Sequence, residues 1–375
     1  MTWMIYGANG YTGELIAREA VRRGHRPLLA GRSAERIEPL ARELGCQWRA
    51  FPLEKPQLEG VALVLHCAGP FIHTALPMVR ACLAAGAHYL DITGEIAVFE
   101  SIFALDEEAK RAGVTLLPGT GFDVVPTDCL AAMLAERLPD ADELWLAFYA
   151  AGTSLSRGTM KTMIEGLHEG GAIREDGRIK RVPMAYDVRE IPFSCGPRMA
   201  MTIPWGDVAT AWRTTGIPNI RVYNATSPRM IARLKRLARL LPLLRFRPLR
   251  RLLQRLANRR TGPPEQVRAA ARMYLWGRAA RRDGSEVTMT METPEGYAFT
   301  VLSAVRAVER VLEGGVATGS LTPSRAFGAG FVRGVGGVVV GGRIPQWLID
   351  KAPVKLENGV SVVQALLDER HESER

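Results

Sequence analysis

Two sets of residues in the first third of the 375-residue chain have the types and spacing to do chemistry. One is Gly7, Gly10 and Gly13 in the run MIYGANGYTG, three glycines at three-residue spacing behind a short apolar stretch, Trp3 to Tyr6. At a strand-to-helix turn such glycines let backbone N–H groups approach a pyrophosphate at the positive helix N-terminus, with Asn9, Tyr11 and Thr12 in the same turn. The spacing departs from the usual G-x-G-x-x-G, so taken alone it argues only for a turn. The other set is acidic: Asp91 and Glu95 in DITGE, and Asp123 and Asp128 in GTGFDVVPTD. Asp91 and Glu95 are candidates to orient a substrate, with Gly121 and Phe122 beside it, and Asp123 is the candidate for proton transfer. Capping of a helix that starts near Pro126 is the plainer role for these last two acids, and the one expected of Asp128.

Hydrophobic patterning predicts the elements that must hold these residues. Helices over 12–23, 33–44 and 75–85, with a further one ending at Arg111, alternate with strands over 27–31, 47–51, 61–66, 88–92 and 114–117. That alternation is a doubly wound α/β sheet of the Rossmann type, which binds ligands outside the carboxyl ends of its strands. The second strand ends in Gly31-Arg32-Ser33, where NAD binders carry an acid for the ribose 2′-hydroxyl; an arginine and a hydroxyl fit a 2′-phosphate, which predicts NADP. The fourth ends in Cys67-Ala68-Gly69-Pro70-Phe71, a small rigid turn expected near the nicotinamide together with Gly119. Cys67 reads as a buried structural thiol, because the side chain of adjacent His66 points to the other face. His73 and His88 read as surface or core groups, and no metal cluster emerges.

Past Asp123 the pattern changes to strands over 143–149, 219–224 and 285–291 and a helix over 157–167, which suggests an α+β substrate domain over 124–343. Residues 344–375 are candidates to return to the first domain, 1–123. Residues 229–260 form a basic amphipathic insert with leucines at helical spacing, and 221–282 hold eighteen basic residues against the single acid Glu265. The net charge of +10 therefore sits there, which points to an acidic partner: an anionic membrane surface or an acidic acyl carrier. Nucleic acid is not expected, since Phe246 is the only aromatic of the insert. Five cysteines without C-x-x-C spacing and the lack of a 20-residue apolar run fit a cytoplasmic protein, and a homodimer is left open.

Taken in order, GANGYTG, AGRS, CAGPF, ACLAAGAHYLDITGE and GTGFDVVPTD resemble the saccharopine dehydrogenase-like NADP-binding oxidoreductases, a family that includes trans-acting enoyl reductases of lipid synthesis. The resemblance covers about the first third of the chain, with thinner echoes at Ser156-Arg157-Gly158-Thr159 and Ser324 to Gly328. Thr74-Ala75 stands where relatives often carry Tyr-Gly, and Arg157 where a glycine is usual. What it implies is NADP chemistry with substrate bound between two domains, and reduction of a lipidic or polyketide-type enoyl substrate as the leading activity. A dehydrogenase of an amino-acid-like substrate and a non-catalytic NADP-binding sensor or scaffold are the alternatives.

Overall fold

The computed structural model describes residues 2–238, 253 and 262–341. The first sheet grows from strands too apolar to face water on either side. β1 (Thr2–Tyr6) and β4 (Val61–His66) are buried along nearly their whole length, as the middle strands of a parallel sheet must be. They pair with Ile5 opposite Leu65, and β2 (Leu28–Gly31) pairs with the other side of β1. β3 (Trp48–Ala50) extends the sheet beyond β2, and β5 (His88–Asp91) and β6 (Thr115–Leu117) extend it beyond β4, all in parallel. Alternate side chains serve two layers of helices. Trp3, Ile5, Leu63 and Leu65 share a core with Ile16 and Ala20 of α1 (Tyr11–Arg22) and Ile37 of α2 (Ala34–Leu44). Met4, Tyr6 and Val64 share another with α3 (Phe71–Ala85), α4 (Ile96–Phe103) and α5 (Asp106–Arg111) on the opposite face. The doubly wound α/β expectation holds.

Two boundaries differ from the periodicity. α3 starts at Phe71, four residues before the expected 75, and the helix expected to run unbroken to Arg111 is divided where Leu105 takes a non-helical conformation (φ −95°, ψ 12°).

α6 (Val125–Arg137) carries the chain out of the first sheet and is buried over most of its length. Above it lies a mixed sheet: β7 (Glu143–Ala151), β8 (Gly171–Glu175), β9 (Arg178–Val182), β10 (Val188–Phe193), β11 (Gly196–Thr202), β12 (Asn219–Ala225), β13 (Arg272–Ala280) and β14 (Glu286–Pro294). Its order is β10-β11-β12-β7-β13-β14, with Val339–Val340 pairing outside β14 and the β8–β9 hairpin attached to β12. β7 runs parallel to β12 and antiparallel to β13. Gly277 of β13 passes directly over α6; a Cβ there would lie 2.6 Å from Leu134. α7 (Arg157–Gly166), α8 (Asp207–Thr215) and α9 (Pro228–Leu237) complete this part, the α+β character of which matches the sequence reading.

The chain then returns to its beginning. Ala304, Val305, Ala307 and Val308 of the Gly296–Leu312 helix lie in the same core as Ile16, Ala17 and Ala20 of α1, and Glu309 pairs with Arg23 and His25 at 3.3 Å each. Gly319–Ser320 pairs in parallel with β6 as the seventh strand of the first sheet. These residues belong to the stretch that the sequence reading gave to the second domain. The segment 344–375, expected to make the return, lies outside the described residues, as do 239–252 and 254–261, which include most of the basic insert. No described helix is long and apolar enough to cross a membrane.

Candidate active site

The turn after β1 is shaped by backbone constraints that only glycine meets. Gly7 has φ 86°, and a Cβ on it would lie 2.9 Å from the backbone and side chain of Ala68. A Cβ on Gly13 would lie 2.3 Å from the Gly7 carbonyl oxygen, so α1 could not pack this close to β1 with any other residue. Gly10 is the N-cap of α1 and provides no side-chain cap, which leaves the helix's first N–H groups open to an anion. Asn9 reaches towards the end of β2, its Oδ1 3.1 Å from where Gly31 would carry a Cβ, and Thr12 sits half-buried in the first turn. Tyr11 leaves this cluster for the second part of the molecule: its hydroxyl donates to the Pro263 carbonyl at 2.6 Å and accepts from Arg268 at 2.9 Å. At the end of β2, Arg32 is exposed and has no hydrogen bond or ion pair among the described residues. Ser33 occupies the N-cap of α2, but its hydroxyl donates to Glu35 at 2.7 Å instead of serving as a cap.

Beyond β4, the Cys67 N–H donates to the Tyr6 carbonyl at 2.8 Å, and burial together with nearby Asp91 pushes the thiol pKa up, away from reactivity. His66 is fully buried among Tyr6, Phe71 and Tyr89, and desolvation lowers its pKa to about 3, so it is neutral. The Gly69–Pro70 peptide is cis, and Phe71 begins α3 directly after it.

The four acids have different fates. Asp91 is fully buried, and its carboxylate accepts from Tyr89 Oη at 2.8 Å, Thr93 N at 3.0 Å and Gly119 N at 2.8 Å, so it ties the loops after β5 and β6 together. Desolvation outweighs these bonds and raises its pKa to about 6. Glu95 accepts from the Phe71 and Ile72 N–H groups at 2.8 and 3.0 Å and thereby caps α3; desolvation raises it to about 7. Asp128 does not cap α6. Its carboxylate accepts from Ser324 N and Oγ at 2.8 and 2.6 Å and from Thr214, because the chain's return brings those groups against it. Asp123 has no such partner among the described residues. Its carboxyl lies against Gly94, where a Cβ would be 2.6 Å from Oδ2, and loss of water raises its pKa to about 7.

Around Asp123, Phe122 stacks edge-on against Phe148 at 5.9 Å, Phe148 lies 4.7 Å from Trp205, and the Phe122 N–H donates to Thr300 at 3.0 Å. Gly121 has to be small here, since a Cβ would lie 2.9 Å from Thr300. Three residues in this neighbourhood went unnoticed in the sequence. Tyr297 accepts from the Ser156 N–H at 2.7 Å, lies 2.8 Å from Thr159 Oγ1 and meets the Tyr11 ring edge-on at 5.1 Å. Buried Glu295 accepts from Thr153 at 2.6 Å and caps the Gly296–Leu312 helix, whose first turn holds Tyr297. Buried Asp207 accepts from Thr127 at 2.9 Å, and desolvation raises its pKa well above the ordinary value. Long-range packing assembles all three, and a tyrosine after Pro-Glu-Gly gives no local signal of it.

Residues 3–117 match the family model described as saccharopine dehydrogenase NADP binding domain. The first domain is of that NADP-binding type. By sequence the chain is 34% identical over 147 residues to the trans-acting enoyl reductase of Mycobacterium tuberculosis (strain H37Rv), an alignment covering 36% of this chain and 35% of that protein. It is 32% identical over 148 residues to the trans-acting enoyl reductase of Mycobacterium leprae, again 36% and 35%. The chain thus spans about a third of the length of the curated relatives it matches. By fold, a saccharopine dehydrogenase (L-Glu forming) of Saccharomyces cerevisiae superposes with a TM-score of 0.60 at 11% identity, over 89% of this chain and 95% of that one. This first domain has the features that NADP requires: a cradle at Gly7 and Gly10 that a side chain would fill, an uncapped helix N-terminus and, at the end of β2, an arginine without an ion pair among the described residues.

Proposed function

We propose that the protein is an NADPH-dependent reductase that saturates the double bond of an α,β-unsaturated acyl substrate held between the nucleotide domain and the mixed sheet. The observation that carries this reading is Asp123, a carboxyl group near neutral pKa and free of protein hydrogen bonds among the described residues, in the loop after β6 next to the glycine turns. NADPH held by the glycine turns would supply the hydride for the β-carbon. The Asp123 carboxyl is the proton donor for the α-carbon, and a pKa of about 7 suits an acid that must be recharged from water between turnovers. Gly69, Pro70 and Gly119 would adjoin the nicotinamide, with Gly7, Asn9, Gly10, Thr12, Gly13, Arg32, Cys67 and Ala68 along the rest of the cofactor. Asp91 and Glu95 hold the loops around the substrate instead of touching it.

An apolar substrate suits the surroundings. Phe122, next to Asp123 in the chain, packs on Phe148 and through it on Trp205, and Ile72, Leu76 and Met163 stay exposed, at 45%, 41% and 47%. An amino-acid substrate would call for basic groups, whereas the ionisable neighbours of Asp123 and Tyr297 include Asp207 and Glu295. The names of the enoyl reductase relatives support the same class. α9 turns Ile231 inward and exposes Arg229, Arg233, Lys235 and Arg236, a face suited to an acidic acyl carrier or an anionic lipid surface.

The test is NADPH oxidation with an enoyl thioester presented free and on an acidic carrier, the product checked by mass for the gain of two hydrogens. Turnover should be faster on the carrier at low salt, and Asp123→Asn should lower kcat by about 10²- to 10⁴-fold without changing NADPH affinity. Tight NADPH binding with no turnover of any acceptor would favour a sensor, and turnover of an amino acid but not the thioester would favour a dehydrogenase.

A further inference from the structure

α7 belongs to the second part of the molecule but lies against the strand ends of the first. Its N-cap is Ser156, whose side chain accepts from Thr159 N at 3.3 Å and whose own N–H is held by Tyr297. Farther along, Thr162 Oγ1 is 3.7 Å from where Gly69 would carry a Cβ, and Glu165 reaches His73 of α3 at 3.5 Å. These contacts fix the helix's rotation. Lys161 lies one turn before Glu165 and Arg157 one turn before Lys161, so all three share the stripe that Glu165 turns to the nucleotide domain.

Lys161 is half-buried on that stripe and has no hydrogen bond or ion pair among the described residues. A lysine withdrawn from water without a counter-charge is unusual. The charges that act on it are like its own: Arg157 on its helix and Arg32 at the end of β2. Neither arginine has an ion-pair partner among the described residues, and both are exposed. With desolvation leading, they hold the Lys161 ammonium below its usual pKa. Three cations from two domains thus act on one another, and none of them has an ion-pair partner among the described residues.

We propose that Lys161, with Arg157, completes from the second domain the subsite that Arg32 begins for the 2′-phosphate of NADP. The inference rests on the NADP reading above. It is the 2′-phosphate and not the pyrophosphate, because the open N–H groups of α1 at Gly10 serve the pyrophosphate and Arg32 stands at the end of β2, the position that contacts the adenosine ribose. A dianion there gives each cation the partner it lacks. Discrimination between NADPH and NADH is then shared by both domains, and cofactor binding holds α7 across the cleft in which reduction occurs.

Fluorescence titrations of NADPH and NADH against wild type, Arg32→Gln, Lys161→Gln and Lys161→Arg would decide it. Lys161→Gln should weaken NADPH about 10-fold, the scale of one charge-assisted bond, change NADH less than about 2-fold and leave thermal melting unchanged; Lys161→Arg should restore most of the loss. Equal weakening of both cofactors, or of neither, would overturn the proposal. Failure of the underlying reading would look different: the wild type would bind neither cofactor, or both alike with Arg32→Gln making no difference.

Discussion

Asp123 is kept protonated by its surroundings, and stability should record this as clearly as activity. An aspartate in the unfolded chain loses its proton near 3.8, whereas the folded group keeps it to about 7. Between those values unfolding releases a proton, so this group's contribution to stability is greatest below about pH 4, falls as pH rises to about 7, and stays low above it. Asp123→Asn should remove this slope and make the protein more stable than wild type at pH 8, by up to about 4 kcal/mol, while giving no gain at pH 4. Urea unfolding at the two pH values measures it, and parallel losses in both proteins would show that the carboxyl is better solvated than its environment implies. Asp91 and Glu95 act in the same direction, so some slope should persist in the variant. Asp123 was legible as a strand-end acid because chain order alone places it there. The separate fates of Asp91, Glu95 and Asp128 were not, since each depends on which N–H or hydroxyl groups distant segments bring to it.

α3 shows how an element can be anchored from a distance. Its start at Phe71, four residues before the one expected from periodicity, is held by Glu95, 24 residues along. Glu95→Ala should expose two N–H groups and lower stability by about 1 to 2 kcal/mol, and Glu95→Gln, which keeps an accepting oxygen, should recover most of it. Denaturant midpoints near pH 6 test this, and equal losses in both variants would mean that the charge and not the cap matters. By contrast, β1, β4 and α1 were readable almost to the residue, because their burial follows directly from apolar runs and glycine punctuation. The hairpins from β8 to β11 and the long Gly296–Leu312 helix were missed. The hairpin strands are short and half polar, and the helix carries Val301, Val305, Val308 and Val311, whose branched side chains weaken a local helical signal.

At the scale of the molecule, the first domain is not built from the first 123 residues alone. Ile16, Ala17 and Ala20 are covered by the returning Gly296–Leu312 helix, and β6 has Gly319–Ser320 as its outer neighbour. A fragment of residues 1–123 should therefore melt without a cooperative transition, and adding residues 295–322 as a separate peptide should sharpen it; circular dichroism melting decides. A fully cooperative melt of the fragment alone would show that the returning segment is dispensable. The sequence could not reveal this closure, since a two-residue strand has no pattern to read. The same closure has a cost during synthesis. A ribosome adds about 5 to 20 residues per second, so roughly 10 to 40 seconds pass between the emergence of β6 and that of its last neighbour. Throughout that interval the apolar side of α1 and an open sheet edge stay bare, and the nascent chain becomes a natural client for chaperones that recognise uncovered hydrophobic surface.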